Sequence, residues 1–99
     1  MNLKIDLGFE GSMEQAEEIL KNTKAPINGV FIEVLEGKVE LIISILGAKT
    51  TISFDLFTYN SGVRLLERES KVAFIHKSFE STARNTFLSL LTRRGFRRL

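Results

Sequence analysis

The sequence predicts an α+β fold: one domain over residues 1–99, in the order β-α-β4(5)-α, with a curved antiparallel sheet and two helices packed on one face. Three observations carry this. Apolar residues recur at helical spacing in two stretches, about 12–25 and 78–94, and alternate with period two in much of the sequence between. Glu36-Gly37, Gly47-Ala48 and Asn60-Ser61 interrupt that alternation at hairpin intervals. Each element then has one apolar face, and one sheet covered by both helices buries all of them in one core.

The elements follow in order. LKIDLGF (3–9) sets Leu3, Ile5, Leu7 and Phe9 against Lys4 and Asp6, a half-buried strand. Ser12 is placed to cap a helix, with Gln15 completing a capping box. Glu14, Glu17 and Glu18 suit its positive end and Lys21 and Lys24 its negative end. Met13, Ala16, Ile19 and Leu20 form its buried face, and Pro26 forbids continuation. Around Glu36-Gly37, Val34 faces Val39, Ile32 faces Leu41 and Val30 faces Ile43; a one-residue slip would set valine beside Glu40. Taking Gly47-Ala48 as the next turn pairs Ile45 with Thr50, Ile43 with Ile52, Leu41 with Phe54 and Val39 with Leu56. Asn60-Ser61 returns Val63 and Leu65 to the same face, although VRLLERE also suits a short helix. KVAFIH (71–76), apolar on both faces, reads as a central or helix-covered strand. In the last helix Phe79, Ala83, Phe87, Leu90 and Leu91 share one arc.

Composition limits the function. There is no cysteine, which removes disulfides, thiolate metal sites and thiol nucleophiles, and no apolar run of the roughly 18–20 residues that cross a bilayer. The first residues lack a signal peptide's pattern, and a cytoplasmic protein is expected. The net charge of +2 is unevenly placed: residues 1–60 hold nine acids against five lysines, and residues 61–99 nine basic residues against three acids. Such segregation marks an anionic partner, or two halves that attract each other within a chain or across a dimer.

The basic tip is TRRGFRRL (92–99). Gly95 as the left-handed residue past a helix, with Phe96 meeting Leu91, accounts for Gly and Phe as helix termination. Arg93 and Arg94 favour the helix dipole, while Arg97 and Arg98 remain for phosphates or acids. Arg84 is a further candidate on the same helix, from another side. On the sheet face opposite the core, the expected register sets Glu33 beside Glu40 and Glu40 beside Asp55, an acidic row that needs solvent, arginines or a hard cation. Phe31, Ile42, Phe57 and Tyr59, with Leu35, surround it and suit a protein partner or a second copy.

GFEGS (8–12) precedes a helix but lacks the lysine of a phosphate-binding loop, and Glu10, Glu14, Glu17 and Glu18 would repel an anion, so a plain turn is expected. His76, the single histidine, ends an apolar stretch without an evident nucleophile partner and reads as structural. No spacing points to an enzyme or to a cofactor. The leading expectation is a small intracellular nucleic-acid-binding accessory protein that contacts phosphates of DNA or RNA through Arg93, Arg94, Arg97, Arg98 and Arg84. The alternative is a non-enzymatic protein-interaction module or homodimer using the outer sheet face. A small apolar ligand between sheet and helices ranks below both.

Overall fold

The alternation at the start of the chain becomes strand β1 (Asp6–Phe9) in the computed structural model, which describes residues 4–99. Leu3, assigned to this strand by its pattern, lies outside the described residues. Helix α1 (Met13–Asn22) opens as expected: the Ser12 hydroxyl accepts from the Gln15 amide at 3.1 Å, and the Gln15 side chain accepts from the Ser12 amide at 2.9 Å. It ends at Asn22, short of Pro26, because Thr23 is extended and its hydroxyl donates to the Ile19 carbonyl at 2.6 Å.

Four strands follow as a meander: β2 (Val30–Leu35), β3 (Lys38–Ile45), β4 (Ala48–Tyr59) and β5 (Gly62–Lys71). The stretch VRLLERE is therefore strand. The first hairpin keeps the expected register, with Val34 opposite Val39, Ile32 opposite Leu41 and Val30 opposite Ile43. The second is displaced by two residues: Ile43 faces Thr50, Leu41 faces Ile52 and Val39 faces Phe54. Its turn is Leu46-Gly47, with φ of 54° and 72°, not Gly47-Ala48. Two successive positive φ values are the mirror-image turn whose twist suits a two-residue hairpin. A shift of two leaves every side chain on its expected face, so apolar matching alone could not detect it.

The segment KVAFIH is not a strand. Lys71 ends β5, and Phe74–His76 form a single 3₁₀ turn leading into helix α2 (Lys77–Arg93). Phe74 and Ile75 face solvent while His76 is buried, held between Thr50 and the Ile45 carbonyl. A further strand, β6 (Phe96–Arg98), follows α2 where the sequence reading placed only a helix end. The sheet order is β2-β3-β4-β5-β1-β6, antiparallel throughout, so β1 is an interior strand between β5 and β6.

Both helices bury their apolar faces in one core. Ala16 and Leu20 of α1 and Ala83, Phe87 and Leu91 of α2 join Val39, Leu41, Ile43, Ile52, Phe54, Leu56, Val63 and Leu65. Phe87 meets Phe54 of the middle strand with ring centroids 5.3 Å apart. Burial of each such side chain contributes about 1.5–3 kcal/mol, which fixes both helices to the same sheet face. The opposite face is left without a covering layer, and Phe31 there is 57% exposed.

Candidate nucleic-acid interface

The arginine-rich end is folded backbone. Arg94 caps α2, Gly95 takes φ 107°, and Phe96 enters the core at 1% exposure, its ring 5.0 Å from that of Phe9. Pairing of Phe9 with Phe96, Gly8 with Arg97 and Leu7 with Arg98 then holds the last residues against β1, and the Leu99 amide donates to the Asp6 carbonyl at 3.1 Å. Alternation along β6 sends Arg97 to the outer sheet face and Arg98 toward α2. Arg93, Arg94, Arg97 and Arg98 are all exposed, and none has a carboxylate within ion-pair distance among the described residues.

An aromatic ring, that of Tyr59, lies on the same side of the sheet as Arg97, with β5 and β1 between them. Gly8 lies between Arg97 and Arg64 in the register, and the Leu99 side chain packs over it: a Cβ on Gly8 would lie 2.9 Å from Leu99 Cδ2. Tyr59, at the end of β4, is 41% exposed, and the Arg64 guanidinium lies over its ring at 4.9 Å. Arg64 also forks onto Asp6 through bonds of 2.8 and 2.7 Å. That hydrogen bonding, opposed by partial burial, holds the Asp6 carboxyl below its ordinary range. A shallow depression runs here, lined by Gly8, Glu10, Tyr59, Asn60, Ser61, Arg97, Arg98 and Leu99. The sequence reading assigned Tyr59 and Arg97 to different surfaces; β1, inserted between β5 and β6, brings them to one.

Arg84 is not part of this interface. It is 7% exposed, its Nε and Nη2 donate to the two Glu67 oxygens at 3.1 and 3.0 Å, and its Nη1 donates to Glu80 at 2.6 Å. Burial works against its charge, and the bonds to Glu67 and Glu80 outweigh it, so its pKa is raised. Glu67 is inward because its position in β5 falls on the core face. Its Oε1 also accepts from the Ile5 amide at 3.1 Å. Period-two reading of β5 puts Glu67 on the core face after Val63 and Leu65, and an acid at that place was the available signal for a buried ion pair.

The expected acidic row is broken by the two-residue shift. Glu33 does face Glu40, but Glu40 faces Ser53, and Asp55 faces Lys38. Asp55 is bonded to Arg68, and Glu40 lies 3.7 Å from Lys38. Among the described residues no group of three histidines or carboxylates is arranged to hold a metal ion. Phe31, Ile42 and Phe57 do occupy the outer face, Phe31 exposed and the other two half-buried. GFEGS forms the end of β1 and the cap of α1. His76 is fully buried: its Nε2–H donates to the Ile45 carbonyl at 2.9 Å, and Nδ1 accepts from the Thr50 hydroxyl at 2.7 Å. That hydroxyl in turn accepts from the Ala73 amide. Both ring nitrogens are committed to holding the chain.

Among the described residues no helix is long and apolar enough to cross a membrane. Comparison of the chain with protein families, curated proteins and solved structures found no match.

Proposed function

We propose that this protein binds nucleic acid, with Arg93, Arg94, Arg97 and Arg98 contacting phosphates and Tyr59 offering a ring to an unpaired base. The observation that supports this most is the pinning of Arg97 on β6, on the same sheet face as the exposed ring of Tyr59 and lining the same depression. A guanidinium without a carboxylate partner next to an exposed aromatic ring is the pairing that single-stranded nucleic acid uses, phosphate on one and base face on the other. Four guanidiniums on ordered backbone also lose less conformational freedom on binding than the same residues on a loose tail.

The test is a titration at two salt concentrations. Four phosphate contacts on duplex DNA are expected to give a log–log salt slope of about −3.6, and on a single strand about −2.8. Arg97→Gln with Arg98→Gln should reduce the duplex slope by about 1.8 with little change in sequence preference. Tyr59→Ala should weaken single-strand binding by about 1–3 kcal/mol and leave duplex binding nearly unchanged. No binding at low salt would overturn the proposal.

A second reading rests on the uncovered outer face, where Phe31 and Leu35 stand exposed on edge strand β2. In that case two copies pair through Phe31, Ile42 and Phe57, and Phe31→Glu shifts the sedimenting mass to that of one chain. A chain already monomeric at high concentration would exclude it.

A further inference from the structure

The end of the sheet far from the arginines carries a feature that neither reading uses. Leu46 occupies the first central position of the β3–β4 turn with φ 54°, and its side chain is 80% exposed. Asparagine, aspartate or glycine is the residue that such a turn favours; leucine there is strained by its own Cβ. Neither the backbone nor the core accounts for leucine at this position. Phe74 is 82% exposed and Ile75 50% exposed, on the 3₁₀ turn that His76 ties to the same hairpin end through the Ile45 carbonyl. Three large apolar side chains therefore protrude together from two tight turns.

The charged residues nearest them in the chain are lysines. The segments that reach this end are the last turn of α1 with the approach to β2 (19–32), the β3–β4 hairpin (41–54) and the β5–α2 connection (70–79). None contains an aspartate or glutamate, and they carry Lys21, Lys24, Lys49, Lys71 and Lys77, all exposed. The Lys77 ammonium lies 5.6 Å from the Phe74 ring centroid. Protruding apolar groups ringed by lysines suit a layered partner, apolar within and anionic at its surface.

We propose that this end inserts Leu46, Phe74 and Ile75 into the headgroup boundary of an anionic lipid surface, with the lysines meeting the headgroups. The apolar groups supply burial, and each lysine adds attraction that a neutral bilayer does not. A protein groove of matching shape is the competing occupant. It would need acids placed against five dispersed ammonium groups, whereas an anionic bilayer presents charge everywhere around the inserted tip.

The experiment is sedimentation of the full chain with vesicles of phosphatidylcholine alone and with about one third phosphatidylserine, where the attraction per lysine is sizeable. Binding is expected to the anionic vesicles only. Leu46→Asn with Phe74→Ser should weaken it by at least about tenfold, since about 0.8 kcal/mol is lost for each CH₂ no longer inserted. The Leu46→Asn change alone should leave the denaturation midpoint unchanged or raised, because it relieves the turn. Lys49→Gln with Lys77→Gln should weaken binding by about twenty-five-fold, two factors of about five. Arg97→Gln with Arg98→Gln, at the opposite end, should leave it unchanged. The proposal is overturned by a chain that ignores anionic vesicles, by binding that survives the Leu46 and Phe74 changes, or by binding lost with the two arginines. A fall in self-association caused by the Leu46 and Phe74 changes would assign the tip to a second copy instead.

Discussion

At the scale of single residues, the most consequential group is Arg84, whose one guanidinium serves two carboxylates inside the fold. Arg84→Met would leave Glu67 as a buried charge without a partner, and a loss of about 3–5 kcal/mol is expected in urea denaturation. Adding Glu67→Gln should recover most of that loss, because a glutamine oxygen still accepts from the Ile5 amide. Thr50 is similar in kind: its hydroxyl both accepts from Ala73 and donates to His76. Thr50→Val strands a buried donor and a buried acceptor, and each costs about 1–3 kcal/mol. Asp6 sets a dependence on pH. Its carboxyl titrates lower in the folded chain than in the unfolded one, chiefly through the Arg64 hydrogen bond. The folded state thus gains stability above the ordinary carboxylate range, and that gain is lost as pH falls through the folded value. Asp6→Asn should accordingly be less stable than the parent at about pH 6, with the difference shrinking toward about pH 3.

At the scale of elements, close approach and turn geometry decide. A Cβ on Gly62 would lie 2.3 Å from the Phe9 carbonyl oxygen, so Gly62→Ala has to push β1 away from the β4–β5 turn. Gly95→Ala is expected to cost about 1–2 kcal/mol through its left-handed backbone, and Phe96→Ala about 3–5 kcal/mol through loss of a buried ring. Thermal unfolding of the three variants checks this. These positions also show what could be read from sequence. The capping box at Ser12 and Gln15, the first hairpin and the inward face of every meander strand rest on local chemistry or period-two alternation, and both are visible in a string of letters. The second hairpin escaped because leucine stands where turn preferences demand asparagine or glycine. Strand β6 escaped because FRR carries no alternation long enough to recognise; its partner β1 lies at the other end of the chain. KVAFIH misled because a buried polar anchor, His76, outweighs the apolar run before it.

At the scale of the whole molecule, the acidic and basic halves of the sequence do meet within one chain. Asp6 and Asp55 of the first part hold Arg64 and Arg68 of the second. Those pairs absorb the arginines of β5 and leave those at 93–98 without carboxylates, which is why the interface reading settles on the terminal cluster. With Tyr59 near the arginines and the lysine-ringed tip at the far end of the strands, the two proposed surfaces are separated by the length of β4. They are expected to act independently: the Arg97 and Arg98 changes and the Leu46 and Phe74 changes should each affect one assay, and their combination should be additive.

The placement of β1 and β6 has a kinetic meaning. Strands β2 to β5 are joined by tight turns and can zip in succession, whereas β1 must find β5, and β6 must find β1, across most of the chain. Hydrogen exchange is expected to show β6 amides opening more readily than those of β3 and β4, as a unit of lower local stability. Arg97 and Arg98 ride on that unit. A polyanion that grips them binds only the docked form, so it should slow exchange at β6 and its neighbour β1 while the meander's rates stay where they were. In such an experiment the ligand would reveal its site by the amides it protects, without a single contact being seen.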